Sequence, residues 1–270
     1  LIYLHTSLIN KNTLYKMDRP KLRAIYKDTQ TKCFNKYSKI KCNASTKYSY
    51  STLKNIDMKP LFEKTNIEVI KEDTLVSCKN LLEVFHVNKI CALNMASTYR
   101  PGGGVEEGSA AQEEELFRRT NYFLTLKEHF YRLADGDVIF SPTVTIVKDQ
   151  NYTDIKSPFT ISFIASSALK YPDTIRDTTT GIEKYTDIDK EIMTKAIDNI
   201  FRVAYLNKKS VLVLGALGCG AYHNPVNEVI DIYNKCLEKY DKCFEKIVFA
   251  VYSKKDKNYS LFNQYIKNKI

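Results

Sequence analysis

The sequence predicts one α/β domain in three layers, with helices on both faces of a mixed central sheet. Three observations carry that expectation. Apolar runs bounded by turn residues alternate with segments of helical period along most of the chain. Two of the runs, Ile90–Ala96 and the one that starts at Ser210, lead into glycine clusters at 102–104 and 215–220, an arrangement by which such sheets bind phosphates at the carboxyl ends of their strands. The chain's 270 residues, 44% of them hydrophobic, suffice for a full core, and neither an internal repeat nor a long linker divides it.

The elements follow in order. Residues 1–16 carry no motif and are expected to be an upstream extension ahead of a functional start at Met17. Residues 17–65 read as an N-terminal arm packed on the core, and residues 66–270 as the catalytic core itself. Within the arm, Leu22, Ile25, Tyr26 and Phe34 have loose helical spacing, with Asp18 and Pro20 marking a start. The polar stretch 37–56 reads as irregular or short-stranded. Residues 67–71 alternate as a strand, and a helix follows with Asp73 or Thr74 as its cap. Ile90–Ala96 is a buried strand. Residues 112–123 are expected to be helical, 137–142 and 144–148 to form a pair of short strands, and 159–168 another buried strand. Ile188, Ile192, Ala196, Ile200 and Val203 share one face of a helix over 187–207. A strand from Ser210, a helix from Asn224 and Pro225 through Tyr240, and a strand over 246–252 complete the layers.

Composition narrows the function. Lys and Arg number 41 against 31 Asp and Glu, a net charge of +10. That balance favours polyanionic partners, nucleic acid or another phosphate-linked polymer, although no nucleic-acid motif is present and a Lys-rich chain without Trp also fits an AT-rich genome. Seven scattered cysteines with no Cys-x-x-Cys pair and no His at ligand spacing argue against a zinc site or disulfide framework and for a reducing compartment, cytoplasmic or nuclear. No apolar run approaches the ~18 residues of a membrane span, and residues 1–5 lack the features of a secretion signal.

The chemistry concentrates in one stretch. Gly102, Gly103 and Gly104 allow positive φ and close approach of backbone N–H groups to an anion, most naturally a phosphate. Gln112, Glu113, Glu114 and Glu115 follow on a helix start. Carboxylates repel such a ligand, so one of them is expected to act as an acid or base. The plainer readings are a tight turn for the glycines and a solvated first helical turn for the carboxylates, to which Glu115 is left. Cys219 has no stated partner to activate it as a nucleophile. His223 reads as a loop histidine near an anion, Tyr185 and Tyr222 as core-edge aromatics, and the Arg118-Arg119 and Lys254-Lys255 runs as solvated faces.

The triple glycine followed, after seven residues, by Gln112-Glu113-Glu114 resembles the signature of poly(ADP-ribose) glycohydrolases, which have the macrodomain fold. The segments 69–75, 93–104, 140–142 and 214–225 are similar to the short, microbial-type branch, in the right order between about residues 20 and 253. The resemblance implies that Gly102, Gly103, Gly104 and Val105, with Gly218, Cys219, Gly220 and Ala221, grip the diphosphate of ADP-ribose. It makes Glu114 the catalytic acid, sets Glu113 on the ribose hydroxyls and has Gln112 brace the loop. Asn94 and Ser97 then lie near the ribose that carries the scissile bond, although some relatives have Asn where Ser97 stands. Tyr222 replaces a usual Phe beside the terminal ribose, and Asp73 is a candidate for the adenine amino group. The implied activity is hydrolysis of ribose–ribose bonds from chain ends, with poly(ADP-ribose) or an ADP-ribosylated protein as partner, ADP-ribose as product, no metal or other cofactor, and a monomeric enzyme. Two alternatives stay open: removal of a single ADP-ribose from a protein side chain, and a reader that binds without cleaving.

Overall fold

The computed structural model describes residues 18–40, 42–134, 136–252 and 257–267. The expected 1–16 extension, Met17 and the Lys254-Lys255 run lie outside the described residues. Helix α1 (Arg19–Phe34) starts where Asp18 accepts the Lys21 N–H at 3.0 Å and Pro20 fills the first turn, where its missing N–H costs nothing. The polar stretch that follows contributes β1 (Thr46–Tyr48) and α2 (Tyr50–Leu53). Strand β2 (Asn66–Ile70) leads to α3 (Thr74–Leu81), capped by Asp73, and β3 (Ile90–Ala96) leads through the triple glycine to α4 (Gln112–Arg119). Then come β4 (Val138–Lys148), β5 (Asp154–Ser167), a small hairpin of β6 (Thr174–Arg176) and β7 (Glu183–Tyr185), and α5 (Asp187–Leu206). The described chain closes with β8 (Val211–Leu214), α6 (Val226–Lys239), β9 (Lys246–Ala250) and α7 (Lys257–Tyr265).

Seven strands form one sheet in the order β1-β4-β5-β3-β8-β9-β2. Strands β5, β3, β8, β9 and β2 run parallel, while β4 and β1 join antiparallel, so the sheet is mixed. Central β3 is apolar along most of its length because both its faces are buried. Cys91 and Leu93 meet the layer that contains α5, α6 and α7; Ile90, Ala92 and Ala96 meet the layer of α1, α3 and α4. Between α5 and the end of α6, buried Asp198 accepts from Arg202 Nε at 2.5 Å, Lys239 Nζ at 2.8 Å and Tyr240 Oη at 2.5 Å.

Several boundaries differ from the sequence expectation, among them the start of β5, which lies at Asp154 and not at Phe159. Helix α4 stops at Arg119, not Phe123, because Thr120 leaves the helical region to bridge Ile146 beside β4. The two short strands over 137–148 are one strand, with register shifts between Ser141 and Val144, at Pro142, which has no N–H for the ladder, and between Ile146 and Lys148. Strand β8 ends at Leu214, where the Leu217 N–H turns back to the Gly215 carbonyl at 2.9 Å.

Candidate active site

Strand β3 ends beneath a loop that is pressed onto the first turn of α4. Gly102 and Gly103 have φ of +76° and +53°. A Cβ on Gly102 would stand 2.7 Å from the Phe117 ring, and one on Gly103 would stand 2.6 Å from Glu114 Oε1 and 3.1 Å from Glu113 Oε2. Only glycine fits between the two carboxylates and the backbone that faces them.

Both carboxylates are buried, Glu113 at 3% and Glu114 at 7% exposure. Glu113 is committed to three donors: Oε1 accepts from Asn94 Nδ2 at 3.2 Å and the Gly102 N–H at 3.1 Å, and Oε2 accepts from the Ser97 N–H at 2.7 Å. Glu114 accepts one N–H on each oxygen, Gly104 at 2.9 Å and Ala111 at 2.7 Å, so an acceptor position remains on each. Burial, and secondarily the charge of Glu114, push the Glu113 carboxyl up to about 8 against the pull of its donors. Gln112 ties α4 to the strand, accepting from the Met95 N–H at 2.9 Å and donating to the Leu93 carbonyl at 2.7 Å.

The pair opens on a cleft of about 840 Å³ whose far wall is the 216–222 loop after β8. Asn224 shapes that wall, donating to the carbonyls of Leu169 at 2.7 Å and Gly218 at 3.1 Å while Tyr185 Oη donates to its Oδ1 at 2.7 Å. Among the described residues, the N–H groups of Gly218, Gly220 and Ala221 take no acceptor within the protein. They offer a row of donors to an anion. Among the described residues no group of three or more His, Cys, Asp or Glu is placed to hold a metal ion.

Residues 26–149 match the family model of the microbial-type PARG catalytic domain. That span contains the glycine loop and both carboxylates. The whole described fold is similar to solved bacterial PARG structures. Against the Thermomonospora curvata poly(ADP-ribose) glycohydrolase bound to the inhibitor ADP-HPD, the TM-score is 0.73 at 22% identity, covering 91% of this chain and 99% of that one. Against the Deinococcus radiodurans enzyme in complex with ADP-ribose it is 0.69 at 22% identity, covering 83% and 94%. At these identities the likeness is one of fold. No curated protein matches.

Of the residues that the PARG resemblance singles out, Ser97, Gly103, Gly104, Gln112, Glu113, Glu114, Gly218, Gly220, Ala221 and Tyr222 line the cleft together. Asn94 is buried behind them, on Glu113. Four others also do not line it. Asp73 caps α3 and pairs with Arg119 at 2.9 Å, Gly102 lies under Phe117, Val105 packs into the α4-side core, and Cys219 turns its Sγ to the Leu217 carbonyl, where burial pushes the thiol up. In the first glycine loop the N–H groups have acceptors within the protein, that of Gly103 the Arg100 carbonyl at 3.4 Å. The N–H groups of Gly102 and Gly104 are taken by Glu113 and Glu114, and that of Val105 by the Gly102 carbonyl at 3.0 Å. Gln112 braces the end of β3 more than the loop.

Arg118 and Arg119 are buried, not solvated. Arg118 donates to the Ser109 carbonyl and to Glu115 at 2.8 Å, and Glu115 also accepts from Tyr152 Oη. Their positive charge lies at the C-terminal end of α4, where the helix dipole favours it. His223 stacks on Tyr171 at 5.2 Å, with φ of +57°. Sequence reasoning missed Tyr99, Arg100, Lys170 and Asn258 in the cleft wall. Tyr99 and Arg100 stand inside the motif stretch and could have been weighed there; Lys170 and Asn258 reach the cleft only through the fold and have no local signal.

Proposed function

We propose that the protein is a poly(ADP-ribose) glycohydrolase that cleaves ribose–ribose O-glycosidic bonds from chain ends, releases ADP-ribose and needs no metal. The observation that carries this reading is the buried Glu113–Glu114 pair, held by a glycine loop and open to a cleft with a row of free N–H donors opposite. The family match and the fold shared with enzymes solved with ADP-ribose and with the inhibitor ADP-HPD support the ligand class.

In this reading the second glycine loop receives the diphosphate and Tyr222 packs by the terminal ribose. Glu113, fixed by Asn94, Ser97 and Gly102, meets ribose hydroxyls with its remaining acceptor position. Glu114 protonates the leaving ribosyl oxygen. As the bond breaks, positive charge spreads over the ribose ring in an oxocarbenium-like state, which the carboxylates stabilise. Glu114, now ionised, orients the water whose attack completes hydrolysis, and recovers its proton from that water. Burial of Glu113 beside Glu114, which disfavours a second charge there, supports acid–base chemistry at this pair. We read the enzyme as a monomer, and its compartment as a reducing one, the latter supported by its seven unpaired cysteines.

The test is release of labelled ADP-ribose from poly(ADP-ribose) by the wild type and by Glu114→Gln. The expected outcome is a rate lower by about 10²-fold or more with ADP-ribose binding kept. A wild type that binds ADP-ribose and releases none from the polymer is a reader, and the proposal fails.

A further inference from the structure

A polymer held with its scissile bond at Glu113 and Glu114 must leave the cleft beyond them, and one side chain stands on that rim with no core to fill. Tyr99 lines the cleft and is 54% exposed. It is carried close to the carboxylates: its N–H donates to Ser97 Oγ at 3.2 Å, and the Ser97 N–H is itself a donor to Glu113. One face of the ring is covered by Arg132, whose guanidinium carbon lies 4.4 Å from the ring centroid. Arg132 makes no ion pair among the described residues. Its segment is stitched in place by the Leu133 N–H on the Thr98 carbonyl at 3.1 Å and by Lys47 Nζ on the Arg132 carbonyl at 2.9 Å. The result is an aromatic ring with one open face, an unneutralised cation behind it, and two anchored loops presenting both at the edge of the reacting centre.

Stacked aromatic and guanidinium groups suit a nucleobase next to a phosphate, because every base has a π face and the cation meets the anionic linkage. In the polymer, the unit beyond the scissile bond offers both an adenine and a diphosphate. A single ADP-ribose on a protein side chain offers neither on that side. We propose that Tyr99 and Arg132 form a subsite for the ADP-ribose unit on the far side of the scissile bond, with adenine on the open face of the ring and diphosphate at the guanidinium. This rests on the glycohydrolase reading above and makes the polymer, not the single modification, the preferred substrate.

The experiment compares Tyr99→Ala, Tyr99→Phe and Arg132→Gln in the full chain, with poly(ADP-ribose) as substrate and ADP-ribose as a binding ligand in calorimetry. Tyr99→Ala and Arg132→Gln are expected to lower kcat/KM on the polymer about tenfold, chiefly through KM, the size that loss of one base-stacking or cation contact gives. Tyr99→Phe keeps the ring and stays near wild type. Arg132→Gln also flattens the dependence of KM on salt. ADP-ribose affinity is unchanged throughout, which shows that the variants are folded. An unchanged polymer KM overturns the subsite, and so does an equal loss of ADP-ribose affinity, which would move both residues into the ADP-ribose pocket itself. If the wild type releases nothing, the glycohydrolase reading has failed separately. Polymer binding by the same variants then decides the subsite: selective weakening for the polymer keeps it, equal binding removes it.

Discussion

Gly103→Ala probes how closely the loop and helix α4 are fitted. The added Cβ would lie 2.6 Å from Glu114 Oε1 and 3.1 Å from Glu113 Oε2, so at least the Glu114 carboxylate must move off the Gly104 N–H. The φ of +53° adds a left-handed conformation that costs a non-glycine residue roughly 1–2 kcal/mol. Loss of one charge-assisted hydrogen bond adds about 1.5–3 kcal/mol. A total of about 3 kcal/mol lowers the melting temperature by roughly 6–12 °C in a domain of this size. Scanning calorimetry reads that shift, and the ADP-ribose release assay should show a parallel loss, since both displaced groups are the proposed reacting ones. Gly220→Ala is the control: it also lines the cleft, but nothing lies within 4 Å of its added Cβ. Its stability should stay within about 0.5 kcal/mol of wild type. If Gly103→Ala melts and turns over like Gly220→Ala, the fitted-loop reasoning is wrong.

Other outcomes follow from the same geometry. Glu113 is raised from its ordinary 4.5 to about 8, so between those values it is protonated when folded and ionised when unfolded. Its contribution to stability is therefore complete below pH 4.5 and is lost as pH rises through about 8, which urea unfolding across pH would show as a declining midpoint. Ionisation of Glu113 also sets a further negative charge in the cleft that is to receive an anionic substrate, so kcat/KM falls above about pH 8; a limb that stays put in Glu113→Gln would assign it to another group. Asp198→Ala strips a buried carboxylate from Arg202, Lys239 and Tyr240 and should cost about 3–5 kcal/mol in urea unfolding. ADP-ribose affinity of the folded fraction should hold, because that network sits in the helical layer away from α4.

The layers were legible because β3, β8 and β9 carry continuous apolar runs and α5 keeps a strict helical period. Strand β1 was legible only as part of an irregular or short-stranded stretch, since three residues on a sheet edge leave one face half-exposed and give no alternation. Helix α7 was missed for a similar reason: Phe262 is its sole fully buried residue, and one anchor in nine residues makes no pattern. In the site, the carboxylate pair and both glycine loops could be placed from spacing. What spacing could not assign was which acceptor each N–H would find. Gly102 and Gly104 suit an anion equally well whether it arrives as ligand or as the protein's own glutamate, and only the approach of α4 decides for the second. Arg118 and Arg119 misled because two adjacent cations look like surface; their burial depends on carbonyls and carboxylates gathered from α1, the 109 loop and α3.

The two ends of the described chain meet at the cleft. Leu22 of α1 lines it, and the backbone of Arg19 packs so closely on Gly108 that a Cβ there would stand 2.5 Å from the Arg19 carbonyl oxygen. From α7, Asn258 Nδ2 donates to the Cys219 carbonyl at 3.2 Å and so holds the second glycine loop from outside. The wall that faces the glutamates is therefore held at two points far apart in the chain, by Asn224 from within the loop's own segment and by Asn258 from α7.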